Sequence, residues 1–208
     1  MDLHRDIKKA TMAKIARYSP SLKSRSMNYM ESILEDDICL LLDFDPTVET
    51  FVTQPVSFFY KDTRGYWRRY TPDLLIKRNS GVYEFAEIKP KYKALKPEFV
   101  IKHEVHKRVI AEQTGKDLLL LTEPELNPKR LVQLDQLAHF HDYDRNLEAE
   151  DVVIDYLGNR NRAKLSELAK VSTPFNAPDF YPMVMLAHQV LRCVSDEVVK
   201  MHSLAEVA

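Results

Sequence analysis

The sequence predicts an α/β fold: a helix, a three-strand antiparallel meander, a second helix and a buried strand, followed by a small C-terminal helical, winged-helix-like domain. Three observations predict it. Apolar residues recur at three- and four-residue spacing from Met27 to Leu42, and β-branched and aromatic runs alternate with turn sequences between residues 56 and 89. The wholly apolar run Leu118 to Leu121 then follows a helical stretch, as a buried strand does after a crossover.

Residues 1–26 are basic and weakly patterned and end in Ser19-Pro20 and a Ser/Lys/Arg cluster, which reads as an arm rather than as core. Met27, Met30, Ile33, Leu34, Ile38, Leu41 and Leu42 then line one helical face, and Asp45-Pro46 stops the helix. The meander runs Val56 to Tyr60, Tyr66 to Ile76 and Val82 to Lys89, with turns at Lys61 to Gly65 and at Asn79-Ser80-Gly81. Pro72 has no amide proton to give a ladder, so a strand end or bulge is expected there. Tyr66, Trp67 and Tyr70 are read as packing residues, with a DNA-stacking aromatic as the alternative. Residues 97–113 form the second helix, and Leu118 to Leu121 enters parallel to a neighbour. This core domain spans 27–145, including a helix from Asn127-Pro128 to Phe140. A domain over 150–208 follows, with helices at Val152 to Leu157, Lys164 to Val171 and Phe180 to Arg192 and a hairpin through Asp196-Glu197.

Composition narrows the function classes. With 45% hydrophobic and 29% charged residues and only 4 Gly, the 208-residue chain is neither collagenous nor broadly disordered. No apolar run approaches the roughly 20 residues needed to span a bilayer, and the amino terminus lacks a signal-peptide core, so a soluble, cytoplasmic protein with no membrane partner is expected. Cys39 and Cys193 lack paired metal-site spacing and are read as small buried hydrophobes. The net charge of -1 hides local bias: residues 31–50 hold seven acids and no base, whereas 60–110 hold thirteen bases and six acids.

The chemistry concentrates in Tyr70-Thr71-Pro72-Asp73 and, fourteen residues after Asp73, in Glu87-Ile88-Lys89-Pro90. A carboxylate at a broken strand end and another on the adjacent antiparallel strand can share a divalent cation on one side of a sheet. Residues two apart on a strand face the same way, so Lys89 points with Glu87, while Ile88 enters the core and leaves its carbonyl near the metal. Such an oxygen-only set suits Mg2+, with Mn2+ as substitute, rather than zinc. It points to phosphodiester hydrolysis, with Lys89 orienting the attacking water or stabilising charge. An isolated Glu-x-Lys is also an ordinary same-face ion pair; its position on the third strand, after Pro-Asp, favours the site. His103 and His106 lack a third ligand and are read as surface residues.

These motifs, together with Glu31 to Glu35, Asp43 to Pro46 and Gln54-Pro55, resemble the restriction-endonuclease-like nucleases of the PD-(D/E)xK type. Within them the chain is most similar to the TnsA-type endonuclease subunit of heteromeric cut-and-paste DNA transposases, well over residues 25–125 and loosely beyond. The resemblance implies a third acid from the first helix, matching Glu35, with Glu31 as the fallback because helical geometry does not choose between them. It implies cleavage at the 5′ ends of the element in double-stranded DNA. An integrase-like TnsB-type subunit would process the 3′ ends and an AAA+ ATPase of TnsC type would regulate, in the bacterial cytoplasm at the nucleoid. Gln54 is read either as a residue beside the site or the DNA, or as a strand start. Lys91, Lys93, Lys96 and Lys102, with Lys107 and Arg108, are candidate phosphate contacts, or else a solvated helix face. The alternatives are a stand-alone restriction or junction-resolving nuclease and a non-catalytic DNA-binding adaptor. In the C-terminal domain the helix-turn-helix layout lacks a basic recognition helix. From Phe180 to Arg192 the only Lys/Arg is Arg192, so the expected role is docking to a protein partner, or simply the core of its own domain.

Overall fold

The computed structural model describes residues 17–19, 21, 23–24, 28–30, 32–123 and 127–208. Most of the basic arm, and Glu31, lie outside the described residues. Two compact units divide the chain, Met1–Pro124 and Glu125–Ala208.

In the first unit, β1 (Arg17–Ser19) pairs antiparallel with β2 (Asn28–Met30), and α1 (Ile33–Phe44) follows. The helix begins at Ser32 rather than at Met27. The Ser32 hydroxyl accepts the Glu35 amide at 3.3 Å and donates to Glu35 Oε1 at 3.0 Å, a reciprocal cap that starts the helix there. At the far end Asp45 Oδ1 bonds the Thr47 amide and hydroxyl, turning the chain ahead of the next strand.

That strand, β3 (Val48–Thr53), is the principal departure from expectation. The segment expected to open the meander is instead β4 (Phe58–Lys61), which pairs only with β5 (Trp67–Tyr70) in a separate two-stranded ribbon. The long run from Tyr66 to Ile76 breaks at Thr71-Pro72, and β6 (Leu74–Arg78) begins after it. Proline cannot supply a ladder donor, which is why one sequence run serves two sheets. β7 (Tyr83–Ile88) follows, then the short α2 (Lys91–Ala94), α3 (Pro97–Thr114) and β8 (Leu118–Leu121). Among the described residues the central sheet has four strands in the order β3-β6-β7-β8, antiparallel except for the parallel β7–β8 pair. The crossover expected before β8 is therefore present, although β8 itself is only half buried.

Each face of this sheet buries a helix. Ile38, Cys39 and Leu42 of α1 pack on Phe51, Leu74, Ile76, Ala86 and Ile88. On the other face Val109 and Ile110 of α3 pack with Phe85, Leu118, Phe58 and Tyr70, the last two supplied by the ribbon. Alternation along β7 sends Ala86 and Ile88 to the α1 face and Phe85 to the α3 face.

The second unit holds α4 (Pro128–Ala138), α5 (Leu147–Gly158), β9 (Ala163–Lys164), α6 (Leu165–Ser172), a 3-10 turn at Thr173–Phe175, α7 (Tyr181–Ala187), β10 (Leu191–Cys193) and β11 (Leu204–Val207). The sheet order is β10-β11-β9, with both pairs antiparallel. Four helices and this three-stranded sheet, with a long loop between β10 and β11, make up the described part of the unit. Helix α4, expected to close the first domain, belongs to this unit. Fully buried Gln133 donates to Ser195 O at 2.9 Å and Glu197 O at 2.6 Å, and Gln136 exchanges two bonds with Val199.

The expected helix from Phe180 to Arg192 is only α7. Gln189 at φ 58 turns the chain, and Leu191–Cys193 is a strand, which leaves Cys193 half-buried rather than buried. Every residue of α7 is buried within its unit, so the apolar helix is core and offers no face for docking. Among the described residues no helix is long and apolar enough to cross a membrane.

Candidate functional site

Asp73 lies at the break between the ribbon and the central sheet. Its backbone already behaves as strand: the amide donates to Ala86 O at 3.0 Å and the carbonyl accepts from Gln54 at 2.8 Å. Its carboxylate takes the next ladder position, with Oδ2 accepting the Ile88 amide at 2.7 Å. Gln54, directly across, has φ 46, a left-handed conformation that an L side chain adopts at a cost of about 1 kcal/mol or more. The end of β3, Asp73 and the end of β7 are thus tied edge to edge.

Glu87 is nine-tenths buried and points to the α3 face. Tyr70, the last residue of the ribbon, donates its hydroxyl to Glu87 Oε2 at 2.9 Å. His103 Nδ1 lies 3.4 Å from the same oxygen, His106 Nδ1 3.6 Å from it, and Lys89 Nζ 3.8 Å from Oε1. The Tyr70 and His106 rings stack at 3.5 Å between centroids, and His106 Nε2 meets the Tyr60 hydroxyl at 3.3 Å. Phe99 stacks on His103 and lies 5.6 Å beneath the Lys89 ammonium, which is therefore braced from both sides.

This shell sets the charge. Burial works to raise the Glu87 carboxyl, but His106, Tyr70, Lys89 and His103 outweigh it and hold the group down at about 2. The same proximity pushes the Tyr70 phenol up, through burial first and then the Glu87 charge. Asp73 has the opposite balance: burial, together with the fields of Glu35 and Glu87, pushes it up to about 6 despite the Ile88 amide and Lys89.

The expected residues come together in part. Asp73, Glu87 and Lys89 share one end of the central sheet, and the Ile88 side chain is in the core as expected. Glu35, half-buried on α1, is near enough to act on Asp73 and is also the helix cap acceptor. Asp73 directly precedes Leu74, which pairs with Ala86, so continuing the register sets it opposite Glu87 at the end of the sheet, where the Glu87 charge acts on it. Among the described residues no group of three or more His, Cys, Asp and Glu is gathered to hold a metal ion. The fit to a divalent cation rests instead on charge and donor type: carboxylate oxygens, those of Asp73 raised by burial and then by its neighbours' charge, are the hard set such an ion relieves. Lys91, Lys93, Lys96 and Lys102 are exposed on and beside α2 and α3.

Two readings are corrected. His103 and His106 are buried, 8% and 3% exposed, because their three-residue spacing places both on the sheet-facing side of α3, between Phe99 and Ile110. That periodicity was the available signal for them. Tyr70 does pack, but Tyr66 and Trp67 are 62% and 67% exposed, since the ribbon extends past the central sheet and leaves them nothing to pack on.

No curated protein matches the chain. Residues 45–123, from the end of α1 through β8, match the family described as TnsA-like endonuclease N terminal. This stretch contains the central sheet, the Pro-Asp break and the Glu-Ile-Lys strand end, and the order helix, antiparallel strands, helix, parallel strand is that of a restriction-endonuclease-like core. Over these residues the chain is similar to the TnsA-like endonucleases.

Proposed function

We propose that this endonuclease cuts DNA in a divalent-metal-dependent reaction as one subunit of a cut-and-paste transposase. The observation that carries the reading is the meeting of Asp73, Glu87 and Lys89 at one sheet end within the matched segment. Asp73 and Glu87, with the Ile88 carbonyl and Glu35 as further donors, would hold Mg2+ or Mn2+, which supplies Lewis-acid polarisation of the scissile phosphate and a more acidic bound water. Glu87, kept ionised by its shell, is a ligand ready at neutral pH. Lys89, braced over Phe99 and beside Glu87, presents a cation to the developing negative charge or to the attacking water. Gln54, across from Asp73, and the exposed lysines at Lys91, Lys93, Lys96 and Lys102 would meet the DNA near the scissile bond.

The division of labour follows the family: cleavage at the 5′ ends here, 3′-end processing by a TnsB-type recombinase, and regulation by a TnsC-type AAA+ ATPase. The test is cleavage of transposon-end duplex by the reconstituted proteins with Mg2+ or Mn2+. Asp73→Ala and Lys89→Ala should each abolish 5′-end cutting while far-ultraviolet circular dichroism and partner binding stay as in wild type. Wild-type cutting by either variant would sink the assignment. Salt-dependent DNA binding with no metal-dependent cutting would favour an adaptor.

A further inference from the structure

The ribbon of β4 and β5 is left unexplained by the chemistry at its base. It is a regular antiparallel pair in which Phe59 faces Arg69 and Lys61 faces Trp67. One side is committed: Phe58, Tyr60 and Tyr70 pack toward Phe85 and His106. Alternation puts Phe59, Lys61, Trp67 and Arg69 on the other side, where all four are exposed, Phe59 at 57%.

Exposed aromatics of this size usually signal a partner, and charge indicates which kind. Residues 58–70 contain four Lys/Arg and one acid, Asp62. That acid is spent on the turn, accepting the Arg64 and Tyr66 amides at 2.9 and 3.0 Å and pairing with Arg68 at 2.7 Å. Gly65, at φ 81, closes the turn. The turn is therefore held by its own bonds, with Lys61 and Arg64 at the tip, Arg69 near the base, and the Lys61 ammonium 5.4 Å from the Trp67 ring.

We infer that the outward face of this ribbon is a contact surface for the DNA duplex beside the scissile phosphate, with Lys61, Arg64 and Arg69 on backbone phosphates and Phe59 and Trp67 against sugars or bases. The inference rests on the DNA-cleaving reading above and extends it to the substrate path. Two-stranded ribbons fit the DNA major groove, where apolar side chains can lie against sugars and thymine methyls. Position agrees with this. The ribbon ends at Tyr70, which touches Glu87, and at a strand rise near 3.4 Å per residue its tip stands about 17 Å away, roughly five base pairs of duplex. Four Lys/Arg against one acid that is already used by its own turn favour a polyanion over a protein surface.

The test uses the full chain, a fluorescent transposon-end duplex, and binding measured across a salt series with Ca2+ present. Wild type should bind the duplex. The pair Lys61→Ala with Arg69→Ala should bind about tenfold more weakly and with a salt slope shallower by about two, one for each lost phosphate contact. Trp67→Ala should weaken binding about fivefold or more with little change in slope. All are exposed, so circular dichroism should not change. Wild-type affinity and salt slope in the ribbon variants would overturn the inference while leaving the nuclease reading intact. Binding that depends on the ribbon, with no cleavage by wild type in Mg2+, would overturn the nuclease reading alone. An absence of duplex binding by wild type at low salt would overturn the inference.

Discussion

Removing one oxygen, by Tyr70→Phe, tests whether Glu87 is held ionised by its protein shell. The folded carboxyl sits at about 2 against an ordinary value of 4.5, a difference worth about 3 kcal/mol of stability at neutral pH. Glu87 is nine-tenths buried, so solvent screening does not erase this amount. Tyr70 supplies the shortest bond to it, 2.9 Å, and a buried hydrogen bond to a charged acceptor contributes about 1.5–3 kcal/mol. Phenylalanine keeps the stack on His106, so the loss is mostly electrostatic. The expected cost at pH 7 is therefore about 1.5–3 kcal/mol, read as roughly 10- to 150-fold faster amide exchange across Tyr83–Ile88. The sign with pH follows from a depressed carboxyl: its stabilisation is full above the unfolded value and is lost as pH falls toward 2. The difference between variant and wild type should therefore shrink below about pH 4. Equal exchange rates at pH 7, or a gap that widens in acid, would refute the assignment of Tyr70 as one of the groups that hold Glu87 charged.

The remaining predictions concern other buried groups. Asp43, 4% exposed, is pushed up to about 6 by burial, against the help of Ser21 and the Lys23 amide and ammonium, so its contribution is the reverse of that of Glu87. Stability from this group is greatest below about pH 4 and is lost as pH rises through 6, by up to about 3 kcal/mol. Asp43→Asn should flatten that part of the wild-type profile in urea melts between pH 4 and 7, and an unchanged profile would contradict it. In the second unit, Gln133→Met should strip two donors from the Ser195 and Glu197 carbonyls at a cost of about 1–3 kcal/mol. Limited proteolysis should then cut within residues 194–203 first, and wild-type resistance there would show that Gln133 does not secure the loop.

The Pro72-Asp73 break, the Glu-Ile-Lys strand end, α3 and the parallel strand after it were all legible in the sequence, because each is a local property of proline chemistry, strand alternation or apolar periodicity. The candidate residues Asp73, Glu87 and Lys89, which the fold brings to one sheet end, stand out by type and spacing for the same reason. What the tertiary structure decided was partnership. β3 escaped notice because its partner β6 lies beyond the ribbon in sequence, so the ribbon at 58–70 took its place in the reading. The shell of Glu87 comes from three separate elements, β5, α3 and the end of β7, which meet only once the sheet is assembled. Burial of His103 and His106, which turns two apparent surface residues into partners of a carboxylate, likewise depends on which side of α3 the sheet covers. In the second unit the composition of α7 showed an apolar helix, but only packing could say whether that surface was free or already used; it is used, by the core of its own unit. Local sequence sets which backbone forms are cheap, whereas burial and charge at a site are sums over residues distant in the chain.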